Sequence, residues 1–371
     1  MARKNFPLRT SDCDGKLLDG RFEILGLLAR GGTSRVYLAR DRQNRKFVAV
    51  KWLLPRAAAD PNHLQRFLSG GRAVLGLNHP GIARVLCVME PKGQPPYLVT
   101  EALEGESLTD YLERQEQPDK DFVLMFAREV ASGLAAAHDA GIVHRDIKPG
   151  NLFLVGPIGA PTGVKIIDFG FAKDMNEDIS GPNSGNLVLG TAQYMAPEQV
   201  VADPVDNRTD IYAFGVVLFL VLTGQLPFDL DPSVELLEHQ LFSTVPPLSW
   251  LNENIDWRLE KLVMRCLQKN PDNRYPSAHE LLGDLARIAE GAPETRPAIL
   301  PRSGNVERDA YRPRHARGLE IAQSLAEHFG VEPPAPSTSC VESPRLSEPG
   351  HSGIVTESLA TKTLRGAGGR W

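Results

Sequence analysis

The spacing of apolar residues changes once along this chain, near residue 106, and that change restricts the fold more than any other feature. Before it, RFEILGLLARGG (21–32), SRVYLARD (34–41), KFVAVKWLL (46–54), IARVLCVME (82–90) and PYLVTEAL (96–103) are short β-rich runs. One segment among them, HLQRFLSGGRAVLGLNHP (63–80), carries apolar residues at 64, 67, 68, 74, 75 and 77, a helical period. After residue 106 helical patterns prevail, in SLTDYLERQ, FVLMFAREVASGLAAAHDAG, IYAFGVVLFLVL (211–222) and WRLEKLVMRCLQ. Strands and helices segregated in this way predict an α+β fold of two lobes. The first lobe, about 20–103, is small and β-rich with one main helix; the second, about 104–290, is larger and mainly helical.

Residues 1–19 read as an N-terminal extension, and the composition shifts again near 291. Residues 291–371 hold 9 of the 29 prolines, one lysine (Lys362) and three aromatic residues (Tyr311, Phe329 and Trp371). Such a tail buries too little to fold by itself and is expected to be mostly disordered. Within it, ARGLEIAQSLAEHFG (316–330) brings Leu319, Ile321, Ala322, Leu325, Ala326 and Phe329 near one helical face. A helix of this length is marginal alone, so it is expected to form on docking to a partner.

The net charge of −5, from 41 Lys+Arg against 46 Asp+Glu, gives no reason to expect nucleic-acid binding. Cysteines 13, 87, 266 and 340 are too far apart for a metal or redox pair and read as reduced thiols of a cytoplasmic protein. No signal peptide is visible. The run 211–222 is shorter than the ~20 residues that span a bilayer, so it reads as a buried core helix and no membrane span is expected.

Four motifs follow one another. VAVK (48–51) ends a strand with a lysine, HRDIKPGN (144–151) follows a helix, DFG (168–170) follows the strand-like VKII, and APE (196–198) follows a Gly/Ser/Asn-rich stretch. Each alone is weak, but the four in this order and context are specific. Over about residues 20–290 the chain resembles the protein kinase family. The lysine two past the aspartate in HRDIKPGN, together with GTAQYMAPEQ (190–199) and NHPGI, is most similar to the eukaryotic-like, Hanks-type serine/threonine protein kinases of bacteria.

The resemblance implies the two-lobed kinase fold, ATP and Mg²⁺ as cofactors, and phosphorylation of serine or threonine on protein substrates in signalling. Such chemistry is positioning and charge neutralisation rather than covalent work by the protein. By resemblance, Asp146 is the catalytic base, Lys148 steadies the transferring phosphoryl, Asn151 and Asp168 hold Mg²⁺, and Lys51 clamps the α/β-phosphates. Thr100 is the gatekeeper, and backbone groups of Glu101 and Leu103 meet the adenine. Val36 and Ala49 pack on one face of that ring and Phe153 supports the other. Leu28, Ala29, Gly31, Gly32 and Ser34 belong to the loop over the nucleotide. Glu198 pairs with Arg274, Asp210 binds the backbone around His144 and Arg145, and Thr191 bridges Asp146 and Lys148. Arg145 receives a phosphate from the segment between DFG and APE, on Ser184 or Ser180.

Two departures from the family pattern stand out. The glycines of GxGxxG fall on Ala29, Gly31 and Ser34, so only the middle one is kept, which predicts a stiffer loop. The glutamate that pairs with the strand lysine falls on Gly70, and no Asp or Glu lies between 61 and 89. Adjacent Gly70 and Gly71 also cost roughly 2 kcal/mol of helix propensity relative to alanine. Lys51 is then left to pair with Asp168 or with an acid from elsewhere. Two readings follow: an active serine/threonine kinase with an unusual lysine environment, or a pseudokinase that uses the fold as a nucleotide-binding scaffold.

Overall fold

The protein is described by a computed structural model covering residues 6, 8–114, 118–169, 192–231, 233–291 and 316–329. The β-rich runs form strands β1 (Leu17–Leu18), β2 (Phe22–Arg30), β3 (Ser34–Asp41), β4 (Phe47–Leu53), β5 (Val85–Met89) and β6 (Tyr97–Glu101). They pair in one antiparallel sheet of order β1-β2-β3-β4-β6-β5. Their alternation buries Phe22, Ile24, Tyr37, Val48, Val50 and Tyr97 together on one face. Helix α1 (Pro55–Ala58) and helix α2 (Pro61–Ala73) follow β4, and α2 sets Phe67 and Leu68 against Leu53 and Leu98 of the sheet.

The segment before residue 20 packs onto this sheet. Arg9 and Leu27 exchange two backbone hydrogen bonds of 2.9 Å, Leu18 is buried, and the Tyr97 hydroxyl donates to Asp19. Gly26 makes room for this strap, since a Cβ there would lie 3.2 Å from Leu8 Cβ. The β2–β3 register slips on either side of that position.

Helix α2 stops at Ala73, short of the helix expected over 63–80. Val74 leaves the helix and joins the core of the larger lobe with Ile82 and Val85. Packing across the lobe junction thus overrides the apolar period. Within the helix, Gly71 has a packing role that its low propensity hides. A Cβ there would lie 2.5 Å from Leu98 Cδ2 and 3.2 Å from Val88 Cγ2. Glycine lets α2 lie flat on β5 and β6. Gly71→Ala is therefore expected to destabilise, because overpacking of about 1–3 kcal/mol exceeds the propensity gain of about 1 kcal/mol. Thermal unfolding checks this, and a raised Tm would refute it.

The larger lobe begins with β7 (Gly105–Ser107) and α3 (Leu108–Arg114), then α4 (Lys120–Asp139), capped by Asp119, which accepts from Phe122 N. Strands β8 (Leu152–Val155) and β9 (Gly163–Ile166) join β7 in a small sheet of order β7-β8-β9 beneath the lobe junction. Short helix α5 (Pro197–Val200) precedes α6 (Asn207–Thr223), α7 (Val234–Phe242), α8 (Trp257–Cys266) and α9 (Ala278–Ala289). Helix α6 contains the run 211–222 and is buried almost all round, as its lack of a polar face requires. Among the described residues no helix is long and apolar enough to cross a membrane.

Helix α10 (Ala316–Phe329) realises the periodic segment of the tail. It docks on its own chain, against α7 and α5. The remainder of the tail, 292–315 and 330–371, lies outside the described residues.

Candidate active site

The loop bearing Asp146 is fixed from below by Asp210, fully buried in the first turn of α6. Its carboxylate accepts from His144 N at 2.8 Å, from Arg145 N at 2.7 Å and from His138 Nε2 at 2.9 Å. Arg145 has φ 65°, a left-handed conformation that costs a non-glycine residue about 1–2 kcal/mol. The bond to Asp210 and a 3.0 Å bond from Gln199 Nε2 to the Arg145 carbonyl hold it there. The His144 ring spans to the next strand: Nε2 donates to Ile167 O at 2.9 Å, and Nδ1 accepts from Asp146 N at 3.2 Å. Its ring also meets Phe169 edge-on at 4.7 Å. One imidazole thereby ties the loop of Asp146 to the backbone that carries Asp168.

A second brace lies behind the APE sequence. Arg274 Nη1 and Nη2 donate to the two oxygens of Glu198 at 2.7 and 2.8 Å, and both side chains are buried. This pair and the Asp210 contacts are those the sequence led us to expect.

The residues expected to act in catalysis form one cluster through Ile167, whose N donates to Asn151 O at 2.9 Å. Lys148 Nζ donates to both oxygens of Asp146, at 2.9 and 2.8 Å. Asn151 Nδ2 donates to the Asp146 carbonyl at 2.7 Å and to Oδ2 at 3.0 Å. With its nitrogen turned to Asp146, the Asn151 amide presents its oxygen the other way. Lys51 Nζ pairs with Asp168 Oδ2 at 2.9 Å, so of the partners open to it the lysine takes this aspartate. Asp168 itself has φ 64°. One amide oxygen and one carboxylate are hard oxygen donors of the kind Mg²⁺ takes, so Asn151 and Asp168 would suit that ion.

A cavity of about 650 Å³, within the range of small-molecule sites, adjoins the Lys51–Asp168 pair. Leu28, Ala29, Val36, Ala49, Lys51, Thr100, Glu101, Leu103, Phe153 and Asp168 line it. Gly31, Gly32 and Ser34 are not on its wall. They form the β2–β3 turn, tied down by Arg56, which donates to Gly32 O at 2.7 Å, and by Leu54 N, which donates to Thr33 O at 2.8 Å. The turn is thus braced from α1 and from Leu54, the residue before that helix. Ser34 is buried. Glu101 is anchored by bonds from Arg84 N and Lys165 Nζ to its side chain, at 2.9 and 2.8 Å.

The cavity also has walls the motifs did not reveal. Phe6 and Arg9 of the N-terminal strap line it, as do Gly71 of α2 and Val74. A glycine inside the β2 run, Gly26, was the available sign that another backbone approaches there. Arg145 is exposed beside the cluster. Ser180, Ser184 and Thr191 lie outside the described residues, as does Gly170 of DFG.

On the cavity wall, Arg114 forms a two-pronged pair with Glu106 at 2.6 and 2.8 Å. The guanidinium holds the buried Glu106 carboxyl below the usual carboxylate range, against the opposing effect of burial. The stability this contributes is complete above the unfolded pKa, about 4.3, and is lost as pH falls through the lower folded value. Arg114→Gln is expected to lower Tm at pH 7 and to lose that deficit in acid. A Tm difference between the two proteins that does not shrink in acid would refute this.

Residues 22–284 match the protein kinase domain family. The chain is 37% identical over 287 residues to the serine/threonine-protein kinase PknB of Mycobacterium tuberculosis, a match covering 76% of this chain and 45% of that protein. It is 38% identical over 275 residues to a probable serine/threonine-protein kinase of Clostridium perfringens, covering 74% of this chain and 39% of the other. Its matched region thus spans less than half the length of these relatives. The crystal structure of the Mycobacterium tuberculosis PknI kinase domain shares the fold, with a TM-score of 0.58 at 24% identity, over 75% of this chain and 99% of that one. A match of this extent, on a chain folded in two lobes around the Asp146 cluster, makes this protein a member of the protein kinase family.

Proposed function

We propose that the chain transfers the γ-phosphoryl group of ATP to serine or threonine hydroxyls of protein substrates, in a signalling role. The observation that carries this is a nucleotide-sized cavity with the Lys51–Asp168 pair on its wall, beside the loop in which Lys148 and Asn151 hold the Asp146 carboxylate. Asp146 accepts the proton of the attacking hydroxyl. Lys148 stays on the transferring phosphoryl and offsets the charge that builds there. Lys51 orients the α/β-phosphates. The adenine lies between Val36 and Ala49 on one side and Phe153 on the other, with the carbonyl of Glu101 and the amide of Leu103 at its edge. Asn151 and Asp168 would hold Mg²⁺, which supplies positive charge to the phosphates when bound.

The absent helix acid at Gly70 removes a group that positions Lys51, not one that touches reacting atoms. Lys51 is already held, by Asp168. This favours the kinase over the scaffold reading. We place the action in the cytoplasm, since the described cysteines Cys13, Cys87 and Cys266 are free thiols, as suits a reducing compartment.

The test is transfer of label from γ-labelled ATP with Mg²⁺ to a protein acceptor, beside Lys51→Met. The variant is expected to lose about 10²-fold or more in kcat, the size seen when one preorganised charge partner is removed. A nucleotide-dependent rise in Tm with no transfer by the unmodified protein would sink the proposal in favour of the scaffold.

A further inference from the structure

Helix α10 is amphipathic. Ile321, Ala322, Leu325 and Ala326 recur at helical spacing, and Glu320, Gln323, Ser324 and Glu327 face solvent. Ala322 and Ala326 are 0% exposed. The stripe packs on Leu236, Leu237, Leu241 and Phe242 of α7 and on Val200 and Val201 at the end of α5. Small side chains at i and i+4 let the two helices approach closely.

This face is wired to the catalytic loop. Gln240 of α7 accepts from the Tyr212 hydroxyl at 2.7 Å and donates to Gln193 O at 3.0 Å. Gln199 of α5 donates to the carbonyl of Arg145, the residue before Asp146. Among the described residues, α5 and the turn 192–194 thus link the ground under α10 to the loop of Asp146. A protein bound with standard contact covers ~800 Å² of its partner. One that delivers a hydroxyl to Asp146 extends over the adjoining α5–α7 face.

We infer that the α5–α7 face is a docking surface for protein substrates that present an amphipathic helix with small residues at i and i+4, and that α10 occupies it in cis. The inference rests on the kinase reading above. The occupant already on the face defines the partner's chemistry: a shallow apolar stripe with a polar back. Tail and substrate compete. A face held nine parts in ten by its own tail weakens apparent substrate affinity about tenfold.

The test uses the full chain and the double variant Ala322→Glu, Ala326→Glu, which sets two carboxylates against the apolar face. Hydrogen exchange over 236–242 should quicken. The kcat/KM for an acceptor protein bearing such a helix should rise about 5–10-fold. The kcat/KM for ATP and for a short unstructured acceptor peptide should stay within twofold. A synthetic peptide of residues 314–330, added to the variant, should restore both protection and inhibition. Ala326→Arg alone serves as the second variant and should act in the same direction.

Unchanged exchange over 236–242 would overturn the docking. Faster exchange with unchanged kcat/KM for the acceptor protein would overturn the competition and leave α10 a structural prop. Activation of the unmodified chain on dilution would put the α10 of a second copy on the face and overturn occupancy in cis. Absence of transfer by every form, with exchange altered as expected, would refute the kinase reading and the competition with it.

Discussion

Asp146→Asn is expected to lower kcat for phosphoryl transfer by about 10²–10⁴-fold, the usual contribution of a positioned general base. The amide keeps the shape of the carboxylate and can still meet Asn151, but it takes no proton. The fold should tolerate the change. Asp146 and Lys148 are each about a quarter exposed, at 24% and 27% for their side chains, so their ion pair contributes at most about 1 kcal/mol. The decisive measurement is therefore a pair: single-turnover transfer and Tm on the same preparation. Near-normal transfer would show that another group takes the proton. A large fall in Tm would show that the pair with Lys148 is a structural strut.

The lobes were legible because strand and helix periods are segregated in the sequence, and the run 211–222, too short to span a bilayer, read as a buried helix. The cluster was legible because HRDIKPGN and DFG set Asp146, Lys148, Asn151 and Asp168 on two adjacent segments, which the fold brings together through His144. What stayed hidden depends on contacts distant in sequence. The strap through Arg9 is a short pairing whose partner, Leu27, is marked in the sequence by nothing stronger than its neighbour Gly26. Gly71 looks like a helix defect until Leu98 and Val88 are placed against it. Val74 continues the helical period but turns away to join the other lobe's core. The partner of Lys51 was open to two outcomes because an ion pair across lobes has no period at all. The tail helix could be read from its stripe, but the surface beneath it, made by α5 and α7, could not.

Arg274→Ala is expected to be among the most destabilising single changes in the larger lobe. Arg274 is 0% exposed, and Glu198 opposite it is 3% exposed. Removing the guanidinium strands a buried carboxylate, which costs about 3–5 kcal/mol. It also strips donors from the carbonyls of Arg208, Gln268 and Lys269, which accept at 3.1, 2.7 and 2.8 Å. At about 2–4 °C per kcal/mol for a domain of this size, Tm should fall by roughly 6–20 °C. The double variant Glu198→Leu, Arg274→Met should recover part of the loss, because replacing both partners of a buried pair leaves no charge uncompensated. Recovery should be incomplete, since Thr209 Oγ1 also loses its acceptor on Glu198. Urea unfolding of the three proteins measures these differences, and a loss below about 1 kcal/mol in Arg274→Ala would show that the stranded carboxylate finds water or a proton. The consequence for catalysis follows from geometry. Glu198 belongs to α5, the helix whose Gln199 holds the Arg145 carbonyl, so loosening the brace frees the loop that aims Asp146. Variants that lose Arg274 should therefore lose kcat even at temperatures where they remain folded.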